Sequence, residues 1–146
     1  MKKGVDFTGV NVVFFCHDGE GNILMGKRSK TTRDEHGKWD LGGGAVEFGE
    51  KIEDALRREI KEEYGTDVME FEFLGFRDVH KLDEEGNNIH WIALDYKVLI
   101  DRKEVKNKVP DEHVEIGWFT LSNLPTPLHS QMPVFLKKYR QKLIAK

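Results

Sequence analysis

The sequence has a single cysteine and no long apolar run, and each of these shortages excludes a class of protein. The lone Cys16 lies inside an apolar stretch, which excludes an intramolecular disulfide framework and indicates a buried thiol in a reducing compartment. No segment approaches the roughly 20 apolar residues that a membrane span needs. The first residues lack the apolar stretch of a signal peptide. We therefore expect a cytoplasmic protein with no membrane partner.

Excess charge of either sign is also missing. The formal net charge is −3 and the isoelectric point is about 6.1, so no global basic field argues for binding a nucleic acid polymer. The six histidines are scattered without the spacing of a zinc site. A length of 146 residues suits one domain, which we predict to span residues 1–146.

The pattern of apolar and turn residues predicts a strand-rich domain with two helices. We predict a hairpin from two strands, a polar surface loop over residues 31–38, a helix that ends at Gly65, two longer strands, a short strand and a last helix. The predicted strands are residues 7–16, 23–27, 71–80, 89–100 and 115–120, and the predicted helices are residues 50–64 and 132–145. This order indicates an α+β fold with a mixed sheet.

The first helix carries carboxylates on its apolar face. On a helical wheel, Ile52, Leu56 and Ile60 form the core-facing stripe, and Glu59 and Glu63 fall inside it. Two like charges four residues apart destabilise a helix, and burial raises that cost. The helix dipole also disfavours negative charge in the last turn. This arrangement indicates that a positive charge from outside the helix stabilises the carboxylates.

Oxygen ligands without nearby histidine or cysteine favour a hard cation, so the predicted ion is Mg²⁺, with Mn²⁺ possible. The competing interpretation is a solvated acidic patch, which would place these glutamates on the opposite face. That opposite face holds Arg58 on the wheel, and we expect ordinary surface pairs there, Glu53 with Arg57 and Asp54 with Arg58.

Residues 44–65 resemble the Nudix box, G-x5-E-x7-R-E-U-x-E-E-x-G-U, where U is a bulky aliphatic residue. Every polar and glycine position of the pattern is present, as Gly44, Glu50, Arg58, Glu59, Glu62, Glu63 and Gly65. Two positions depart from the family. Thr66 replaces the last aliphatic residue, so we expect Val68 to supply the packing, and Gly42 stands where proline is commonest.

The resemblance to this family implies a mixed sheet sandwiched between helices, an α/β/α arrangement. It also implies a set of metal ligands, namely Glu59, Glu62, Glu63 and a backbone carbonyl of Gly43 or Gly44. Arg58 is implied to orient a glutamate, and we count it with the catalytic residues. Glu50 is implied to support the loop or a metal. The family often adds a glutamate from a late loop, for which Glu115 is the first choice and Glu112 the second.

The reaction implied is attack of water on phosphorus, with a glutamate as general base. Glu59 and Glu62 are joint candidates for the base. For substrate binding, Arg28 matches a phosphate-contacting position of MutT-type members, and Trp39 and Asp40 are candidates to line a base pocket. His129 could reach the site, although a structural role is the simpler interpretation.

The predicted function is hydrolysis of a pyrophosphate bond in a nucleoside diphosphate linked to another moiety, a (d)NTP or a nucleotide-sugar, releasing a nucleoside monophosphate. The expected partner is thus a small nucleotide, and a monomer and a homodimer both stay open. One alternative is a nucleotide sensor without turnover, but such domains typically lose box glutamates and none is lost here. Another is a cation-stabilised structural domain, which does not account for Arg58 or the glycines.

Overall fold

The computed structural model describes residues 1–144 and is built around a seven-stranded mixed sheet. The strands are β1 Gly9–His17, β2 Ile23–Arg28, β3 Trp39–Asp40, β4 Gly43–Ala45, β5 Val68–Leu82, β6 Asn88–Ile100 and β7 His113–Phe119. The helices are α1 Ile52–Tyr64 and α2 Met132–Ile144, and Arg102–Glu104 form a short 3₁₀ turn that was not predicted.

The strand order is β3-β2-β1-β6-β5, with β4 paired to β1 and β7 paired to β2. β1 runs parallel to β6, and the other strand pairs are antiparallel. The central parallel pair places β1 at the middle of the sheet, where it is buried on both faces, as its apolar sequence predicts.

Two apolar cores lie on the two faces of the sheet. Because side chains of a strand alternate between faces, Phe14 of β1 joins the core that contains Leu56 and Ile60 of α1. Its neighbour Phe15 joins the other core, with Phe135 and Tyr139 of α2. The sheet is thus sandwiched between α1 and α2, which confirms the predicted α/β/α arrangement.

Most predicted elements are confirmed, with shifts of a few residues at their ends. Gly65 ends α1 in the left-handed conformation with φ of 70°, which glycine adopts without strain. The predicted last helix is confirmed as far as Ile144, and its final residue, Ala145, lies outside the described residues. None of the helices in residues 1–144 is long and apolar enough to cross a membrane.

One prediction needs correction. The segment 31–38 is not simply a surface loop, because Asp34 and Glu35 are buried at 5% and 9% exposure. Their carboxylates are held by cations from elsewhere in the chain, including Lys81, which compensates their burial. Val68 packs against the core beside α1 as predicted, and Thr66 is itself fully buried.

Candidate active site

The carboxylates of α1 face a glycine loop, residues 42–44. Glu63 is only 5% exposed, the Glu59 side chain is 14% exposed, and Glu62 is exposed at the edge of the helix. Their burial follows the helical wheel, because the 3.6-residue period places Glu59 and Glu63 on the same face as the core residues of α1.

The glycine loop lies so close to these carboxylates that side chains would not fit. A Cβ at Gly44 would lie 2.0 Å from the carboxyl carbon of Glu59, and a Cβ at Gly42 would lie 2.7 Å from Cε2 of Phe14 and 3.2 Å from Oε1 of Glu63. Gly42 also has φ of 112°, whereas proline is restricted to about −65°. The glycine at the position where the family usually has proline is therefore required by this backbone.

Glu63 is a buried carboxylate without a strong cationic partner. Burial raises its pKa well above the usual value, and the charges of Glu59, Glu112 and Asp40 raise it further, while a hydrogen bond with the Gly43 backbone lowers it. Within residues 1–144, no lysine or arginine forms an ion pair with Glu63, and its nearest basic atom is Nε2 of His113 at 3.9 Å. Burial lowers the pKa of His113, so this imidazole supplies no compensating charge near neutral pH.

Arg58 lies within the carboxylate cluster, which corrects the prediction that it points to solvent and pairs with Asp54. Its guanidinium donates to Glu50 at 2.7 and 2.9 Å, to Glu59 at 2.8 Å and to Glu62 at 3.2 Å. It also donates to the carbonyl of Ala45 at 3.1 Å. The Arg58 side chain thus contacts Glu50, Glu59 and Glu62 together and holds these three carboxylates beside the glycine loop.

The predicted pair between Glu53 and Arg57 is likewise not formed among the described residues. The Arg57 guanidinium instead lies 5.3 Å from the centre of the Phe71 ring, a distance suited to a cation–π contact.

Glu50 has the contacts expected of a supporting residue. The hydrogen bonds from Arg58 lower the pKa of Glu50 to about 2, so its carboxylate stays charged. Glu50 Oε1 also accepts from the backbone of Glu47 at 3.1 Å. It therefore ties the loop before α1 to Arg58.

The pKa of Glu59 is raised although Arg58 touches it. Burial is the largest cause, and the charges of Glu62 and Glu112 add to it, while Arg58 acts in the opposite direction. One guanidinium shared among three carboxylates thus leaves the cluster with an excess of negative charge. A cluster of buried oxygen donors with raised pKa values, beside closely approaching backbone, fits a hard divalent cation.

The two candidates for the additional late glutamate occupy different environments. Glu112 precedes β7, and its charge raises the pKa of both Glu59 and Glu63. The Glu112 carbonyl accepts from Ser29 at 2.8 Å, which holds this segment beside the end of β2. Glu115 pairs with Lys27 in the β2–β7 register, and both glutamates are exposed. The electrostatics thus favour Glu112, the second choice from the sequence.

A cleft of about 280 Å³ opens beside the glycine loop. It is walled by one face of β5 and β6, including Val79, Trp91 and Ala93, and Asn11 of β1 also lines it. The predicted residues Arg28 and Asp40 line the cleft, together with His129. The cleft is therefore continuous with the loop that contacts Glu59 and Glu63.

Trp39 does not line this cleft. Its side chain is 7% exposed, packs edge-to-face on Phe119 with ring centres 5.1 Å apart, and belongs to the core beneath α2. The expectation that Trp39 contacts a base is replaced by a packing role.

Arg28 is oriented by two acids. Its guanidinium donates to the carbonyl of Asp34 at 2.9 Å and to the Asp34 carboxylate at 3.2 Å, and it lies 3.6 Å from Asp40. These contacts place a half-buried cation in the cleft wall, where it can bind an anionic group without a large change of rotamer.

His129 presents a hydrogen-bond donor to the cleft. Its Nδ1 accepts from the backbone N–H of Gln131 at 3.1 Å, so in the neutral ring the proton is on Nε2. Nε2 lies 3.8 Å from Glu35 and 4.0 Å from Asp40, too far for a direct hydrogen bond. Burial lowers the pKa of His129, so the ring offers Nε2–H without a full charge.

The β5 residues of the cleft were not predicted from the sequence. Arg77, Val79 and Lys81 alternate along β5 and share the cleft face. Alternating basic residues in a predicted strand are a signal that could have been read from the sequence. Arg33, an exposed cation of the cleft rim that lies 4.9 Å from the Trp91 ring centre, has no comparable signal.

Comparison with known proteins agrees with this geometry. The family model described as NUDIX domain matches residues 7–139. The chain is 32% identical over 125 residues to the nucleoside triphosphatase NudI of Escherichia coli O139:H28 (strain E24377A / ETEC), covering 82% of this chain and 85% of the relative. NudI of Shigella flexneri is similar to the same extent.

Solved structures share the fold. A MutT NUDIX hydrolase from Burkholderia pseudomallei has a TM-score of 0.77 and 32% identity, with 91% of this chain and 98% of that one covered. A MutT protein from Methanosarcina mazei Go1 has a TM-score of 0.72 and 25% identity, covering 94% and 96%. The NUDIX domain of Shewanella oneidensis NrtR, solved with ADP ribose, has a TM-score of 0.70 at 19% identity, covering 98% and 90%, which shows a likeness of fold alone.

Proposed function

Because the chain belongs to the Nudix hydrolase family, we propose that it hydrolyses a pyrophosphate bond of a nucleoside triphosphate or related nucleotide with the help of Mg²⁺. The observation that carries this proposal is the pair Glu59 and Glu63, two largely buried carboxylates with raised pKa values beside a glycine loop. Packing does not require a carboxylate at either position, and a divalent cation would offset the electrostatic cost of burying both charges.

The ligands we propose for Mg²⁺ are Glu59, Glu62, Glu63 and a carbonyl of Gly43 or Gly44, with Glu112 preferred to Glu115 as an addition. When bound, the ion would neutralise phosphate oxygens and lower the pKa of a bound water. Mn²⁺ has the same preference for oxygen ligands and could replace it.

Side chains of the protein position the metal ligands and supply the general base of the proposed reaction. Arg58 positions Glu59, and Glu50 in turn holds Arg58 through two hydrogen bonds. The general base is Glu59 or Glu62. Glu62 is the more exposed of the two, and the Arg58 guanidinium lies 3.2 Å from its carboxylate, which fixes its position beside the site.

The cleft next to the loop suits a nucleoside with its phosphates directed toward the glutamates. Arg28 would bind a phosphate oxygen, while Asp40 and the Nε2–H of His129 would contact polar groups of the nucleotide. The relatives named nucleoside triphosphatase support a nucleoside triphosphate as substrate, with a nucleoside monophosphate and pyrophosphate as products.

The test is a panel of nucleoside triphosphates and nucleotide-sugars assayed with Mg²⁺, using wild type, Glu62→Gln and Glu63→Gln. Losing one charged ligand should remove several kcal/mol of transition-state stabilisation, so we expect kcat/KM of Glu63→Gln to fall about a thousandfold. Glu53→Gln, on the exposed face of the same helix, is the matched control and should retain wild-type turnover.

Unchanged turnover in both Glu62→Gln and Glu63→Gln would refute the site. Tight nucleotide binding by wild type without turnover of any substrate would instead favour a sensor that binds without hydrolysis.

A further inference from the structure

The β5–β6 hairpin has a group of histidine and aspartate side chains on the face opposite the cleft. Val79 and Trp91 line the cleft, and because side chains alternate along strands, Asp78, His80 and His90 project from the other face. One donor atom from each of these three residues lies within 4.8 Å of the others. They are separate from the glutamates of α1 in both sequence and position.

The register of the hairpin brings the two histidines together. His80 and His90 are direct cross-strand partners, and their rings stack with centres 4.0 Å apart and planes 19° apart. Asp78 is two residues before His80 on the same face, and its Oδ1 lies 3.0 Å from Nε2 of His90. Paired strands hold all three Cα positions, so only side-chain rotations are needed to converge the donors on one point.

Thr8 completes the environment of His90. Its hydroxyl lies 3.1 Å from Nδ1 of His90, on the opposite edge of the ring from Asp78. A metal-bound histidine commonly donates its other N–H to a nearby acceptor, which fixes the tautomer and the ring orientation. In this arrangement Nε2–H donates to the Asp78 carboxylate at 3.0 Å, and the Thr8 hydroxyl donates to Nδ1 of the neutral ring. If a metal replaces the proton on Nε2, Nδ1–H would donate to the Thr8 hydroxyl instead.

We propose that Asp78, His80 and His90 form a binding site for a borderline divalent metal such as Zn²⁺. Two imidazoles and one carboxylate match zinc, whereas Mg²⁺ prefers oxygen ligands alone. Zn–N and Zn–O distances of about 2.0–2.2 Å require the three donors to converge on one ion, so the two imidazoles, which are stacked in this structure, must rotate out of the stack to bind it. A fourth position stays available to water.

Metal binding at this site would link β5, β6 and, through Thr8, the segment before β1. The cross-strand pair lies directly behind the cleft-wall residues Val79 and Trp91. Occupancy should therefore stabilise the wall of the cleft, because a ligand that binds only the folded state raises its stability.

The test is calorimetric titration of Zn²⁺ into the intact protein with excess Mg²⁺ present, so that the α1 glutamates are already engaged. We expect one equivalent of Zn²⁺ to bind wild type and Glu63→Gln equally, and the affinity to fall at least about tenfold in His80→Gln and in His90→Gln. Thr8→Val, which removes only the acceptor, should weaken binding by about tenfold. His36→Gln removes an exposed histidine outside the cluster and should bind like wild type.

Co²⁺ gives an independent measurement, because its visible absorption reports nitrogen ligation and coordination number. Loss of that absorption in His80→Gln and His90→Gln, with retention in His36→Gln, would support the site. Wild-type Zn²⁺ affinity in both cluster variants would overturn the proposal. So would the absence of Zn²⁺ binding to wild type, or its loss in Glu63→Gln alone.

Discussion

Asp95 on β6 and Glu63 on α1 are both buried carboxylates, and the protein surrounds them differently. Asp95 is fully buried and accepts two hydrogen bonds from Arg77 at 2.7 and 2.8 Å and one from Tyr139 at 2.6 Å. Glu63 has a hydrogen bond with the Gly43 backbone and neighbouring negative charges, and no matched guanidinium within residues 1–144.

The difference separates a structural carboxylate from one that is available for a ligand. The fork of Arg77 satisfies both oxygens of Asp95 and offsets the cost of removing its charge from water. The same pair links β5 to β6 and, through Tyr139, to α2. Around Glu63, the protein supplies further acids and, within residues 1–144, no lysine or arginine to offset them, which is the charge that the proposed cation would balance.

The largest expected effect comes from removing the partner of Asp95. Arg77→Met leaves a buried, uncompensated carboxylate and should lower the free energy of unfolding by about 3–5 kcal/mol. Glu63→Gln should not lower it when EDTA is present, because the variant removes a charge that lacks a partner. Urea denaturation of both variants checks this, with the exposed Arg57→Met as control for loss of a surface arginine. Equal losses in Arg77→Met and Glu63→Gln would contradict the distinction between the two carboxylates.

A smaller effect is expected from adding the cation. Mg²⁺ at a hundred times its dissociation constant should raise the free energy of unfolding of wild type by about 2.7 kcal/mol. Glu63→Gln should lose most of this gain, and Glu53→Gln should keep it. Denaturation with and without Mg²⁺ measures the difference. An equal gain in Glu63→Gln would mean that the ion binds elsewhere.

The smallest effect is a dependence on pH without metal. The folded-state pKa of Glu63 is raised above its usual value, primarily by burial, so its protonated form favours folding. Its stabilising contribution is complete below the unfolded-state pKa and is lost as pH rises through the folded-state pKa. In EDTA, wild type should therefore lose stability relative to Glu63→Gln with rising pH, by at most about 1.4 kcal/mol per pH unit.

The pH dependence of the stability difference between wild type and Glu63→Gln should change sign when metal is added. Saturating Mg²⁺ binds the deprotonated carboxylate, so wild type should then gain stability relative to Glu63→Gln as pH rises. Urea denaturation at several pH values, with EDTA or with Mg²⁺, measures both trends. A difference between the two proteins that stays flat with pH in EDTA would show that Glu63 keeps an ordinary pKa.

Features that depend on local periodicity were predictable. The burial of Glu59 and Glu63 follows from their positions on the helical wheel, because the repeat of a helix is set by its own backbone. The end of α1 at Gly65 follows from a conformation that glycine favours. Five of the seven strands followed from the apolar pattern, and the sandwiched sheet followed from the family resemblance, whereas the short strands β3 and β4 were not predicted.

Features that depend on distant residues were not predictable. The segment 31–38 looks like a solvated loop because its acids are polar, yet Glu35 pairs with Lys81 and with the backbone N–H of Ser130, 95 residues later. Trp39 was a candidate for the cleft because it is aromatic and close to the glycines. Its core position results from packing against Phe119. The helical wheel predicted the wrong environment for Arg58. A wheel gives only the direction in which a side chain leaves the helix, whereas the long side chain of an arginine can bend toward nearby acids.

By itself, then, the sequence determined the carboxylate helix and the glycine loop and led to the proposal of a hard cation, since these depend on spacing within one short segment. Only the tertiary structure decided which late glutamate lies near that helix, how Arg28 and His129 are oriented, and which buried acid has its own arginine. Those outcomes depend on strand register and on contacts between residues far apart in the chain, for which no local pattern exists.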